Sequence, residues 1–359
     1  MLEVAAGIGG TLLVLLMLSD VFQAVIVPRA VGGRWRPSAL ISRYGWRLLR
    51  DRALVLRNAE RREDTLGLFA PAILVVYLMV WVNGLVLGFG LLFWAFRFAV
   101  RPEPSLGDAI YFAGTSLLTI GYGDFTPAQW FTRFLALSAA ASGLAVLAIT
   151  TTFLFQTFAA FQRREAYVAA VSERFGAPPS GVELLAAHAR LGLATEDLRP
   201  LLREGQHWIA EVMESHLAYP ILTYFRSAHD DESWVGTLGA LLDVSTLLTT
   251  TAELGAAGEA TITLRLGRHL VRDFTAYFRL PEHDAAGVEF QEFAEAHRVL
   301  VEAGIPCRAV EDAWPEFSRI RASYSAPLDA MARWWRIPPA RWIGDRSRIR
   351  AHVNAGISA

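Results

Sequence analysis

Three stretches, near residues 4–27, 66–96 and 130–158, are each long and apolar enough to cross a bilayer, which takes about 20 apolar residues. No other feature constrains the chain as tightly. Lipid offers the backbone no hydrogen-bond partners, so each stretch must be a helix. The overall hydrophobic fraction of 53% in 359 residues agrees. The apolar excess sits in the first 160 residues, and the remainder reads as a water-exposed domain. The first stretch opens Met1-Leu2-Glu3, without a positive leader region, and has no small-residue cleavage site before Pro28. It is expected to be a retained signal-anchor helix.

Charge sets the expected orientation. All 34 basic residues are arginine, and ten of them fall within residues 29–62. That loop is expected in the cytoplasm, as are Arg163 and Arg164 after the third stretch. The connection from the second to the third stretch carries only Arg97 and Arg101 before residue 120 and is expected outside. The N-terminus then lies outside and the C-terminus in the cytoplasm of a multi-pass protein of the cell inner membrane. Within the cytoplasmic loop, Arg43, Arg47, Arg50, Arg57 and Arg61 recur at helical spacing, with Leu40, Ile41, Tyr44, Leu48 and Leu49 interleaved and Trp46 nearby. Two readings fit: an amphipathic helix on the inner leaflet, or a helix docked on the water-exposed domain. Asp20 and Gln23, near the inner end of the first stretch, are candidates for function or for an ion pair with Arg29.

The stretch from Ser105 to Asp124 carries the most chemistry. Ser105 followed by Asp108 is a helix-start signature. A helix over residues 106–118 would be about 20 Å long, half a membrane. Its carbonyl end would favour a cation at mid-membrane. Thr119-Ile120-Gly121-Tyr122-Gly123 follows. Non-helical backbone at membrane depth is tolerated only against protein or water, and glycines at 121 and 123 admit angles closed to other residues.

This stretch resembles the pore loop of the potassium channel superfamily, in the order outer helix, pore helix, filter, inner helix, over residues 66–160. Thr119, Gly121, Tyr122, Gly123 and Asp124 match the Thr-Val-Gly-Tyr-Gly-Asp signature. Ile120 replaces valine, and Leu118 stands where many members carry a second threonine. The resemblance implies that backbone carbonyls of Thr119, Ile120, Gly121 and Tyr122 replace the hydration shell of K+, as in the family's filter. It implies that Tyr122 braces the loop against Tyr111 and Phe112, with Asp124 in support. It implies a homotetramer in the lipid bilayer, since one filter segment per chain needs four copies to close a ring. It makes Gly143 a candidate gating hinge, the alternative being a packing glycine. Thr150, Thr151, Thr152 and Gln156 would line the inner vestibule or bond back to their own helix.

Beyond residue 162 apolar residues recur at helical spacing, as in Trp208, Val212 and Leu217, and in Val288, Phe293 and Leu300. Breaks are expected at 177–180, Pro220, 255–258, Pro281, Pro306 and 338–339. Residues 165–330 hold 25 acidic residues against 13 arginines, whereas the tail beyond Ala330 is basic. His207, Glu211, Glu214 and His216 are weighed as a metal cluster, although His216 is poorly phased with the others. Residues 229–232, His-Asp-Asp-Glu, read as the acidic first turn of a helix. The tail from Arg333 to Trp342 suits an anionic membrane surface or packs its tryptophans on the domain.

Several classes are excluded or disfavoured. Lysine is absent, which removes Schiff-base and P-loop mechanisms. The single Cys307 permits no intrachain disulfide. There is no dinucleotide fingerprint, no calcium-loop spacing and no span with arginine at every third position, so a voltage sensor is not expected. No nucleophile–base pair can be placed, so the chain is not expected to be an enzyme.

The expected fold is an all-α membrane protein with three transmembrane helices, a re-entrant pore helix and filter, and an all-α cytoplasmic domain. Its parts are 1–28, the first span; 29–64, the basic segment; 65–161, the pore domain; 162–330, the helical domain; and 331–359, the basic tail. The expected function is passive conduction of K+, with no cofactor and no nucleic acid, gated by an unknown stimulus such as a cytoplasmic ligand or ion. The rivals are a poorly selective cation channel and a membrane-anchored sensor with a non-conducting pore segment.

Overall fold

The computed structural model describes residues 1–27, 36–53, 55, 58–193, 198–227, 231–281, 287–337 and 340–342. Arg29, His229, Asp230, the 338–339 break and the end of the basic tail lie outside these residues. The chain is an all-α membrane protein. Among the described residues the only strands are two-residue β1 (Val100–Arg101) and β2 (Thr126–Pro127), an antiparallel pair, with one isolated bridge between Ala252 and Cys307. The chain divides into two units.

The first unit comprises Met1–Arg57, Asp64–Ala159 and Ala218–Leu222. Helices α1 (Leu2–Val25), α4 (Phe69–Ala95) and α6 (Trp130–Phe175) are the three membrane-length helices. α1 and α4 lie antiparallel at close range because small residues let their backbones approach. A Cβ added at Gly10 would sit 2.6 Å from the Gly88 carbonyl oxygen, and one at Gly84 would sit 2.5 Å from the Met17 sulfur. Glu3 pairs with Arg97 at 2.8 Å where α4 ends.

Asp20 is almost fully buried. Its carboxylate accepts from the Ser38 amide (3.0 Å), the Ser38 hydroxyl (2.7 Å) and the Trp81 indole (2.8 Å), with Arg36 at 3.6 Å. An acid in lipid must be paired, and this one is paired by three residues, Arg36, Ser38 and Trp81. Ser38 is the second residue of α2 (Pro37–Ala53), so Asp20 caps that helix from outside it, behind a proline in the first position. Farther along α2, Ser42 bonds Tyr77 and Trp46 packs edge-on to Phe69 at 5.2 Å. Thus α2 runs alongside α4, from Trp81 toward Phe69. It is docked on the membrane helices α1 and α4.

The second unit comprises Asn58–Glu63, Ala160–Leu217 and Thr223–Ala359. It contains the end of α6, then α7 (Gly181–Arg190), α8 (Leu198–Ala218), α9 (Trp234–Thr250), α10 (Ala257–Phe278), α11 (Phe290–Glu302) and α12 (Val310–Trp335). Its short first segment belongs to α3 (Ala59–Gly67), and Glu63 there pairs with Arg226 at 2.8 Å. α9 is the central helix, with every residue from Trp234 to Leu248 buried. The helices around it are amphipathic and turn one apolar face inward.

The buried acid at the centre of this unit is paired. Asp243 of α9 forms an ion pair with Arg321 (2.7 Å) and accepts from the Tyr324 hydroxyl (2.8 Å), both on α12. α12 continues through Pro315 and Pro327, although a proline inside a helix costs about 3 kcal/mol. Burial of Phe317, Tyr324, Leu328 and Met331 offsets that cost. The boundary placed at residue 330 falls inside α12. Trp335 and Trp342 are buried in this unit, Trp342 against Phe317 with its carbonyl held by Arg321, so both tryptophans serve the helical core.

Candidate ion pathway

The site is built on α5 (Leu106–Leu117). Ser105 and Asp108 form a reciprocal capping box: the Ser105 hydroxyl accepts from the Asp108 amide, and the Asp108 carboxylate accepts from the Ser105 amide at 3.0 Å. α5 packs on α4 through Phe112 and Phe93, whose centroids are 4.6 Å apart. Gly90 admits this packing, since a Cβ there would lie 2.9 Å from the Ile110 Cα.

At the end of α5 the chain turns back on itself. The amides of Ile120 (2.8 Å) and Gly121 (3.3 Å) both donate to the Thr115 carbonyl, and the Thr119 amide donates to Ser116. The carbonyls left open at a helix end are thereby used to hold the following segment. Thr119, Gly121 and Gly123 have φ of +57°, +60° and +81°, whereas Ile120 and Tyr122 between them keep negative φ. Residues 118–124 are exposed in the single chain. Among the described residues, no hydrogen-bond donor is spent on the carbonyls of residues 118–123.

Within the single chain Phe125 stands beside Tyr111 and Phe112, at 6.3 and 6.4 Å, while Tyr122 is 70% exposed. Asp124 interacts with the Tyr111 hydroxyl. Phe125 was missed in the sequence because it lies just past the recognisable motif.

Gly143 faces the C-terminal end of α5. A Cβ at this position would stand 1.9 Å from the Leu117 carbonyl oxygen, so only glycine lets α6 pass there. Its immediate role is close packing two residues before Thr119. Thr151 and Thr152 bond back to the carbonyls of Leu147 and Ala148.

The other candidates do not converge. His216 is fully buried in the second unit, where its Nε2 accepts from Arg164 at 3.0 Å. His207 is exposed, and Glu211 pairs with Arg163. No group of three or more potential metal ligands occurs among the described residues. Asp231 and Glu232 precede α9, whose cap is Ser233, so they are not its first turn. The lone thiol, Cys307, is pushed up to about 11 by burial and by the nearby Glu253 carboxylate, which makes it a poor nucleophile.

Fold and site together describe an all-α membrane protein with a half-membrane helix followed by an exposed, irregular segment. Residues 81–160, which contain α5, residues 118–124 and Gly143, match the family model described as "Ion channel", which supports an ion-channel domain in this part of the chain. A relative from Bacillus subtilis (strain 168), "Uncharacterized membrane protein YdjJ", is 24% identical over 187 residues, 51% of this chain and 54% of the relative. The chain thus spans about half the length of the curated relative it matches. No solved structure matches the chain.

Proposed function

We propose that the chain is a subunit of a potassium-selective channel, with four copies enclosing a pore lined by residues 119–123. The observation that carries this reading is the alternation of φ sign at positions 119, 121 and 123 in a segment whose carbonyls have no donors. A β-strand of uniform φ sends successive carbonyls to opposite sides. Alternating left- and right-handed residues turn successive peptide groups the same way. A row of carbonyls on one side offers a dehydrated cation what water offered, which is the principle of the potassium filter.

Supporting this, α6 buries far less of its apolar surface than α1 or α4 does within the chain. Trp130, Leu137, Leu147 and Phe155 are all more than half exposed. Neighbouring copies would cover part of that surface. The N-terminus lies outside and the second unit in the cytoplasm, by the distribution of arginine. Gating is by a stimulus acting on the second unit and transmitted along α6.

Reconstituted protein should give a reversal potential that follows the potassium gradient. Gly121→Ala or Tyr122→Ala should abolish that selectivity. Equal permeability to sodium and potassium in the unaltered protein would sink the proposal.

A further inference from the structure

α2 presents three distinct sectors around its axis. At 3.6 residues per turn, Ser38, Ser42 and Trp46 share the face packed on α1 and α4. Arg43, Arg47 and Arg50 form a stripe down one flank. Tyr44 and Leu48 point away from the protein, and they are 60% and 59% exposed. The helix cannot swing to hide them, because Asp20 grips its start and Trp46 seats against Phe69.

We propose that α2 is a docking surface for anionic phospholipid, with Tyr44 and Leu48 among the acyl chains and the arginine stripe on headgroup phosphates. Water alone leaves two large apolar side chains wet, and an acidic protein face offers that pair no hydrocarbon. A leaflet carrying negative lipids offers hydrocarbon and phosphate side by side, matching an apolar pair beside a positively charged flank. Position agrees: α2 runs along the Trp81-to-Phe69 half of α4, the half nearer the cytoplasm in the orientation proposed above, on which this inference rests. Asp51, paired with Arg50 at 2.9 Å, offsets one of the charges, and Arg52 beyond it is exposed.

The test uses the full chain in phosphatidylcholine vesicles with increasing phosphatidylglycerol. Retained phosphatidylglycerol is counted by native mass spectrometry after mild extraction. Arg43→Gln/Arg47→Gln/Arg50→Gln should weaken its retention by roughly 5-fold per arginine, on the order of 100-fold in all. Arg265→Gln/Arg268→Gln/Arg272→Gln on α10, equal in charge change, should leave retention unaltered. In a Cys307→Ser background, a nitroxide at Leu48→Cys should be more accessible to oxygen than to a water-soluble nickel chelate. This label decides the matter without the arginine variant, should that variant fail to fold. Any of three results would overturn the proposal: phosphatidylglycerol retention within twofold of the unaltered chain in the α2 variant, a label more accessible to nickel, or full displacement of the lipid by inorganic pyrophosphate. The last would mark a site for soluble phosphate.

Discussion

α6 is one helix of 46 residues, about 69 Å long, and its two ends obey opposite rules. In the membrane-length part, apolar side chains such as Leu137 and Phe155 are exposed. In the part belonging to the second unit, an arginine is buried. Arg164 is 2% exposed; it donates to His216 and to the Phe225 carbonyl (2.9 Å), pairs with Glu165 at 2.8 Å, and lies over Phe161 and Trp234. The contrast shows that exposure within a single chain reports its surroundings rather than its polarity. Lipid and neighbouring copies accept apolar surface, and a packed core accepts a guanidinium once its donors are used.

Four measurements would break or sharpen that contrast. Arg164→Ala should have the largest effect, about 3–5 kcal/mol off the stability of the second unit, because it removes one partner of a buried polar network. Thermal unfolding followed by near-ultraviolet circular dichroism reads it, and a loss below 1 kcal/mol would mean that the guanidinium is solvated. In the membrane part, Gly143→Ala should cost about 1–3 kcal/mol, since the Leu117 carbonyl is backbone and cannot rotate aside. Displacing α5 should degrade potassium-over-sodium selectivity as well as open probability. A variant with altered gating and intact selectivity would show instead that Gly143 acts as a hinge alone.

The third effect depends on pH. His216 must be neutral to accept from Arg164, and burial, reinforced by the Arg164 charge, holds its pKa well below the ordinary value of 6.5. The unfolded chain binds a proton that the folded chain refuses. Stability should therefore be insensitive to this group above pH 6.5 and fall by up to about 1.4 kcal/mol per pH unit below it. His216→Gln keeps an acceptor and should flatten that part of the profile. The smallest effect is expected next door. Arg163 is more than half exposed and pairs with Glu211 at the surface, so Arg163→Ala should cost no more than about 1 kcal/mol. Equal costs at positions 163 and 164 would erase the contrast.

The stretch from Ser105 to Asp124 and the helices around it were legible because their signals are local. The Ser105–Asp108 box, the glycines at 121 and 123 and the apolar runs each act within a few residues, and each appears in the structure as read. The features that were not legible depend on distant partners. Gly143 looks the same whether it bends or lets a neighbour pass, and only the Leu117 carbonyl distinguishes the two. His216 fits the phase of a surface cluster poorly, and Arg164, 52 residues away, explains why. Pro315 and Pro327 argue locally against a helix that tertiary packing nonetheless completes. The tail tryptophans suit a membrane surface as well as a core until Phe317 and Arg321 are placed beside Trp342.

The knot of bonds at Asp20 also imposes an order on biogenesis. Ser38 follows Asp20 by 18 residues and Trp81 by 61. At synthesis rates of about 5–20 residues per second, the carboxylate enters the bilayer roughly 1–4 s before its first partner is made and 3–12 s before its last. The first span is therefore delivered with an acid that lipid disfavours, and its set of partners is complete only when the second span arrives. Asp20→Asn should let the first span settle early, at the expense of its later attachment to α2 and α4.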